Sequence, residues 1–183
     1  ADSGQKITPL AFMVKAAVVA LKEFPHFNAS LNGDTLVYKK YFHIGFAVDT
    51  PGGLLVPVIR DADRKSVPEI AAEIEALSTR ARTKGLPMDA MMGGSFTISS
   101  LGSVGGTGFT PIINAPEVAI MGITKAFRKP FEGEGGALVW KTMLPLSLSY
   151  DHRVINGAAA AGFCIAFAKA MAAAETLIDQ TPA

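Results

Sequence analysis

In "ITPLAFMVKAAVVALKEFP", Leu10, Met13, Val14, Val18 and Leu21 recur at helical spacing. Thr8 stands at the N-cap position, Pro9 at the first helical position, and Pro25 closes the segment. The period then shortens. "NASLNGDTLVYKK" reads as a hairpin of two short strands around Asn32-Gly33, a dipeptide that tolerates positive φ. "HIGFAVDT" and "LLVPVIR" read as two strands separated by the tight reversal "PGG". "SVPEIAAEIEALSTRARTKG" is the clearest helix. Ser66 and Glu69 form a capping-box pair, Ile70, Ile74 and Leu77 make the apolar stripe, and Gly85 supplies the stop. Next come a strand in "GSFTISS", a Gly-rich loop "LGSVGGTG" and a long strand "EVAIMGITKAF". The turn "EGEGG" leads into "ALVWKT", then "MLPLSLSY", and a final helix runs from about Gly157 to Ile178. With no internal repeat or composition break, the pattern predicts one domain over residues 1–183, of mixed α+β type.

Composition sharpens that picture in one respect. The chain is 49% hydrophobic and only 18% charged, against roughly 25% charged in an average soluble domain. No apolar run reaches the ~20 residues that span a bilayer, so subunit contacts are the better sink for the surplus and no membrane partner is expected. A net charge of +1 with dispersed basic residues gives no nucleic-acid surface. The single cysteine, Cys164, excludes an internal disulfide and fits a reducing compartment as a packed thiol. "ADSGQK" lacks a basic-then-apolar secretion signal.

Several motifs weaken on inspection. "GSVGGTGF" lacks the Gly-Lys-Ser/Thr ending and following helix of a phosphate cradle, and reads as a mobile or tightly turned loop beside a site. "GGSFT" has the wrong fifth residue for a nucleophile elbow. His26, His43 and His152 have no ligand spacing, so no metal is expected, and His26 and His43 read as structural. His152 differs. It lies just past an alternating strand, flanked by Asp151 and Arg153, and Asn156 returns to its side if the turn is helical. On the residues alone, a structural role and a catalytic role both stand.

"YDHRVINGAAAAGF" resembles the signature segment of the dihydrolipoamide acyltransferases, the E2 cores of the 2-oxo acid dehydrogenase complexes. More distantly it is similar to the chloramphenicol acetyltransferase pattern His-x-x-x-Asp-Gly. "FNASLNGDTLVYKKYFHIGFAVDTPGGLLVPVIRDAD", "GGSFTISSLGSVGGTGFTPIINAPEVAIMGITKA" and "MLPLSLSYDHRVINGAAAAGF" extend the resemblance in the family's order, from about Ile7 to Phe163. "FTISSLG" followed by "TPIINAPEVAI" looks most like the acetyltransferases of pyruvate complexes.

The resemblance implies a chloramphenicol acetyltransferase-like mixed sheet flanked by helices, associating as trimers, and acetyl transfer between S-acetyldihydrolipoamide and coenzyme A. A thiol with a pKa of about 8.5 is only a few per cent thiolate at neutral pH, so a base of pKa about 6.5 is suitably matched to it. By resemblance His152 is that base. The donor to the tetrahedral oxyanion is Ser99, with Ser100 the adjacent alternative. Strand alternation puts Thr97 and Ser99 on one face and Phe96, Ile98 and Ser100 on the other, which suits Ser99 better. Asn156 stands where many relatives carry aspartate, which implies orientation or hydrogen bonding rather than an Asp–His dyad. Asp151 and Arg153 are expected to fix the turn.

In the family the histidine meets the serine of a neighbouring subunit across a trimer interface. Coenzyme A and the lipoyl arm enter from opposite ends, and trimers join into larger cores, here expected to be cubic. The chain begins later than the family's catalytic domain, without the helix and strand that clasp a neighbour. Its polar end "TLIDQTPA" stands where relatives carry an aliphatic tail. No lipoyl or subunit-binding domain is present, so the lipoyl group and the contacts to the E1 and E3 components are expected on regions outside this chain. A bacterial cytoplasm is the favoured setting over a mitochondrial matrix. The rivals are a non-catalytic scaffold of the same fold, a succinyl or branched-chain acyltransferase, and a free-standing acetyltransferase.

Overall fold

The computed structural model describes residues 7–102 and 104–178. The expectations placed on "ADSGQK", on the tail "DQTPA" and on Ser103 of the Gly-rich loop lie outside the described residues. Helix α1 spans Pro9–Glu23, with Thr8 at the N-cap and Pro9 opening it as the sequence predicts. Its burial exceeds the predicted stripe and includes Lys15, only 3% exposed. The Lys15 ammonium donates to the Lys65 carbonyl at 2.8 Å, which fastens α1 to the segment entering α2. Burial lowers the Lys15 pKa, the expected response of a desolvated ammonium. Helix α2, Val67–Lys84, starts with the predicted capping box: Ser66 N–H donates to Glu69 Oε2 at 2.7 Å and Glu69 N–H to Ser66 Oγ at 3.4 Å.

Strands β1 (Ala29–Asn32) and β2 (Thr35–Tyr38) form the predicted hairpin, with Gly33-Asp34 as its two-residue loop and Gly33 at φ 58°. The next two predicted strands are each broken in two, giving β3 (Ile44–Phe46), β4 (Val48–Thr50), β5 (Gly53–Leu55) and β6 (Val58–Ile59). The break has a backbone cause. Pro57 has no N–H to continue the ladder beyond β6, while Ala47 N–H still donates to Ile98 of the neighbouring strand. The β4–β5 ribbon therefore separates from the main sheet. Strands β7 (Phe96–Ser100), β8 (Ala119–Ile123), β9 (Phe127–Glu132), β10 (Leu138–Met143) and β11 (Leu146–Tyr150) follow. The long strand predicted from Glu117 to Phe127 ends at Ile123. The predicted final helix breaks at Ala173 into α3 (Gly157–Ala172) and α4 (Ala174–Ile178).

The central sheet has the order β11-β8-β7-β3-β6. β3, β7 and β8 are parallel, and β11 and β6 close the two sides antiparallel. Register divides its faces. Ile98, Met121 and Leu148 align across one face and join the main apolar core. Phe96, on that same face, meets Phe163 of α3 at 5.4 Å between centroids, and Phe163 stacks on Phe27 at 4.2 Å. Gly162 lets α1 and α3 approach, since a Cβ there would lie 2.9 Å from the Phe24 ring. The other face carries Gly45, Thr97, Ser99, Gly122, Ser147 and Ser149. Phe109 and Pro111 of the Gly-rich loop fold over it at Gly122, where a Cβ would meet the Phe109 ring at 2.8 Å.

Candidate active site

His152 is held by its neighbours rather than by its own ring. Strand β11 ends at Tyr150, and Asp151 N–H still donates to the Val118 carbonyl at 2.8 Å. The chain then turns sharply, with the N–H groups of Val154 and Ile155 both donating to the Asp151 carbonyl at 3.0 Å. The Asp151 carboxylate accepts from Arg153 N–H at 3.0 Å and from its guanidinium at 2.6 Å. That guanidinium holds the Asp151 carboxyl below the usual carboxylate range. Ile155, 1% exposed, anchors the turn in the core. Asn156 is the N-cap of α3, its Oδ1 accepting Ala159 N–H at 2.8 Å. The imidazole is left exposed, 5.5 Å from the Tyr150 ring.

The predicted site residues thus fall into two groups. Asp151, His152, Arg153 and Asn156 come together in one turn. Thr97 and Ser99 lie together on the polar face of β7, where Ser99 is level with Gly122 of β8 and Ser147 of β11. These groups do not meet within one chain. Tyr150 pairs with Ala119 at the opposite end of β8 from Gly122, so His152 lies about five residues along and two strands across from Ser99. At about 3.3 Å per residue and 4.8 Å per strand, that is a separation of roughly 15–20 Å.

Ser100 faces the other way. It lines a cavity of about 780 Å³ between the start of α1, α2 and the carboxyl ends of β3 and β7. Met13, Phe46 and Ile74 give this cavity apolar walls, and Arg82 and Lys125 also line it. Two hydroxyls along it, of Thr8 and Thr124, are buried without a hydrogen-bond partner.

The other histidines have structural contacts. His43 Nδ1 accepts Asp61 N–H at 3.0 Å, and burial lowers the His43 pKa. His26 packs edge-on against Tyr38. Among the described residues no group of three or more His, Cys, Asp or Glu side chains is placed to hold a metal ion. Cys164 is half-buried, and burial pushes its thiol pKa up, as befits a packed thiol. No helix among the described residues is long and apolar enough to cross a membrane.

Besides Lys15, a second buried ionisable group escaped the sequence reading. Glu117, which precedes β8, is 7% exposed, and its Oε1 accepts the Thr97 hydroxyl at 2.9 Å. Burial pushes its pKa up to about 7, against the opposing pull of hydrogen bonds from Thr97 and Asn114. The available signal was an acidic residue opening the apolar run "VAIMGI".

The model of the 2-oxoacid dehydrogenases acyltransferase (catalytic domain) family matches residues 1–178. The chain belongs to that family. It is 61% identical over 170 residues to the dihydrolipoyllysine-residue acetyltransferase component of the pyruvate dehydrogenase complex of Cupriavidus necator, covering 93% of this chain and 31% of that protein. It therefore spans about a third of that relative. The cubic core of a pyruvate dehydrogenase multienzyme complex superimposes with a TM-score of 0.91 at 56% identity, covering 96% of this chain and 73% of that one. The same TM-score, at 55% identity and the same coverage, relates it to the Azotobacter vinelandii dihydrolipoamide acetyltransferase, whose structure was determined to examine one serine, one histidine and one asparagine in its catalytic mechanism. Chloramphenicol acetyltransferase shares the fold, with a TM-score of 0.55 at 15% identity, over 88% of this chain and 77% of that one.

Proposed function

We propose that this chain is the catalytic core of a dihydrolipoamide acetyltransferase of a pyruvate dehydrogenase complex. It moves an acetyl group between S-acetyldihydrolipoamide and coenzyme A. His152 removes the proton from the attacking thiol, and the thiolate adds to the thioester carbonyl carbon. The Ser99 hydroxyl of a second copy donates to the oxyanion so formed. Collapse of the intermediate expels the dihydrolipoyl sulfur, which takes the proton back from His152. General-base catalysis of this kind contributes ~10²–10⁴-fold.

The observation that carries the reading is the state of His152. Its ring is exposed while Asp151, Arg153, Ile155 and Asn156 fix the turn beneath it. Such a base is pre-positioned without needing a partner on its own strand. Asn156 acts through the backbone: its carbonyl oxygen caps α3, which leaves the amide nitrogen as the donor end. In the Azotobacter vinelandii enzyme the histidine and asparagine stand four positions apart, as His152 and Asn156 do. The serine spacing there equals that of Ser100 to His152, and Ser99 is one residue further off. That spacing points to Ser100, whereas the polar face of β7, which Ser99 shares with Thr97, favours Ser99.

The distance between Ser99 and His152 within one chain makes assembly part of the reaction. A trimer, and a cubic core built from trimers, would join one copy's turn to another copy's β7. Val104, Ile112 and Leu138 are 81%, 90% and 71% exposed, surface suited to burial against a neighbour. Coenzyme A would be a substrate, the lipoyl group would arrive on a domain outside this chain, and the setting would be a bacterial cytoplasm. The test is acetyl transfer from acetyl-CoA to dihydrolipoamide by His152→Ala. A loss of ~10²-fold or more is expected, and an unchanged rate would overturn the reading.

A further inference from the structure

The buried carboxyl of Glu117 lies between the two segments of this chain that the proposed function uses, β7 with Ser99 and the turn with His152. On one side its Oε1 accepts the Thr97 hydroxyl at 2.9 Å, two residues before Ser99 on the same face of β7. On the other side, the adjacent Val118 carbonyl accepts Asp151 N–H at 2.8 Å, at the root of the turn that carries His152. The packing leaves space for this pair. A Cβ at Gly94 would lie 2.6 Å from Glu117 Oε1, and one at Gly45 would lie 2.7 Å from Thr97 Oγ1. The second carboxyl oxygen is buried with no hydrogen bond of ordinary geometry, and the Asn114 side chain lies near the carboxyl. An ionised, half-satisfied carboxylate at such a position costs several kcal/mol, whereas the neutral acid holds its proton on that oxygen at a much smaller cost.

We infer that Glu117 is a positioning residue for acetyl transfer, tying the Ser99 strand to the segment that holds the His152 turn. The inference rests on the reading of Ser99 and His152 given above. Below about pH 7 the carboxyl works as a neutral hydrogen-bonding group, so an amide of the same shape can replace it in an assay run there. Gln offers the carbonyl oxygen to Thr97 and places N–H donors where the acid's proton lies.

The experiment measures kcat and KM for acetyl-CoA in the full chain carrying Glu117→Gln, Glu117→Ala, Thr97→Val or Gly94→Ala. Glu117→Gln is expected to stay within about twofold of the unsubstituted protein. Thr97→Val, which keeps the shape and removes the hydroxyl, is expected to lower kcat about three- to tenfold with KM unchanged. Glu117→Ala and Gly94→Ala are expected to lower kcat at least as far. An unchanged kcat in Thr97→Val and Gly94→Ala would overturn the inference, and so would a Glu117→Gln loss as large as that of Glu117→Ala. His152→Ala, assayed alongside, separates the two failures. If it is inactive while Thr97→Val is normal, only the role of Glu117 falls.

Discussion

The two faces of the central sheet are built from the same strands and do opposite things. Toward the helices, Phe96, Ile98 and Met121 are fully buried, and Phe163 of α3 contacts both Phe96 and Phe27. Toward the other side, the same strands present Thr97, Ser99, Gly122, Ser147 and Ser149. Burial on the first face supplies stability. The second face gives up apolar contact for hydroxyls that a reacting carbonyl can use. Since alternation along one strand serves both, a change at one residue should affect one property and largely spare the other.

Phe163→Ala should break the comparison from the helix side. Removing a fully buried ring that stacks on Phe27 should cost about 3–5 kcal/mol of unfolding free energy. Denaturant titration checks this, and activity per folded molecule should persist. From the polar side, Ser99→Ala should leave the denaturation midpoint nearly unchanged and lower acetyl transfer ~10²–10³-fold. Ser100→Ala, which faces the cavity instead, should lower it far less. If Ser100→Ala gives the larger loss, the oxyanion donor belongs to the other face.

A smaller effect sharpens the same contrast through pH. Folding raises the pKa of Glu117 from 4.5 to about 7, so the folded state binds this proton more tightly than the unfolded state does. The group's contribution is full below about pH 4.5 and is lost as pH rises through about 7. Across that window it amounts to about 3 kcal/mol at most. Unfolding free energies measured from pH 5 to 8 should fall with pH in the unsubstituted chain, and more shallowly in Glu117→Gln. Identical slopes would contradict the assignment. Asp151 supplies the counterexample on the surface, where an exposed Arg153 lowers its pKa instead.

Local chemistry explains what the sequence made legible. The Ser66–Glu69 capping box, Pro9 at the head of α1 and the turn at Gly33 each depend on neighbours within four residues; the first two lie where the pattern put them, and the turn lies one residue later, at Gly33-Asp34. The break at Ala47 was not legible, because where β3 stops pairing is set by β7, a strand about fifty residues away in sequence. Lys15 and Glu117 were missed for the same reason. Each is a charged residue whose burial depends on contacts with Lys65 and Thr97 from distant elements. Within the site, the 151–156 turn was readable as a unit because its members are consecutive. That its imidazole lies roughly 15–20 Å from Ser99 in one chain follows only from the pairing of β11, β8 and β7.

The shared site can be tested directly by mixing. His152→Ala and Ser99→Ala chains are each expected to be nearly inactive as uniform assemblies. When they are dissociated together and reassembled, some interfaces should pair an intact His152 from one chain with an intact Ser99 from the other. Acetyl transfer should then return to a substantial fraction of the unsubstituted rate. Mixed assemblies that form and stay as inactive as either parent would contradict a site divided between copies.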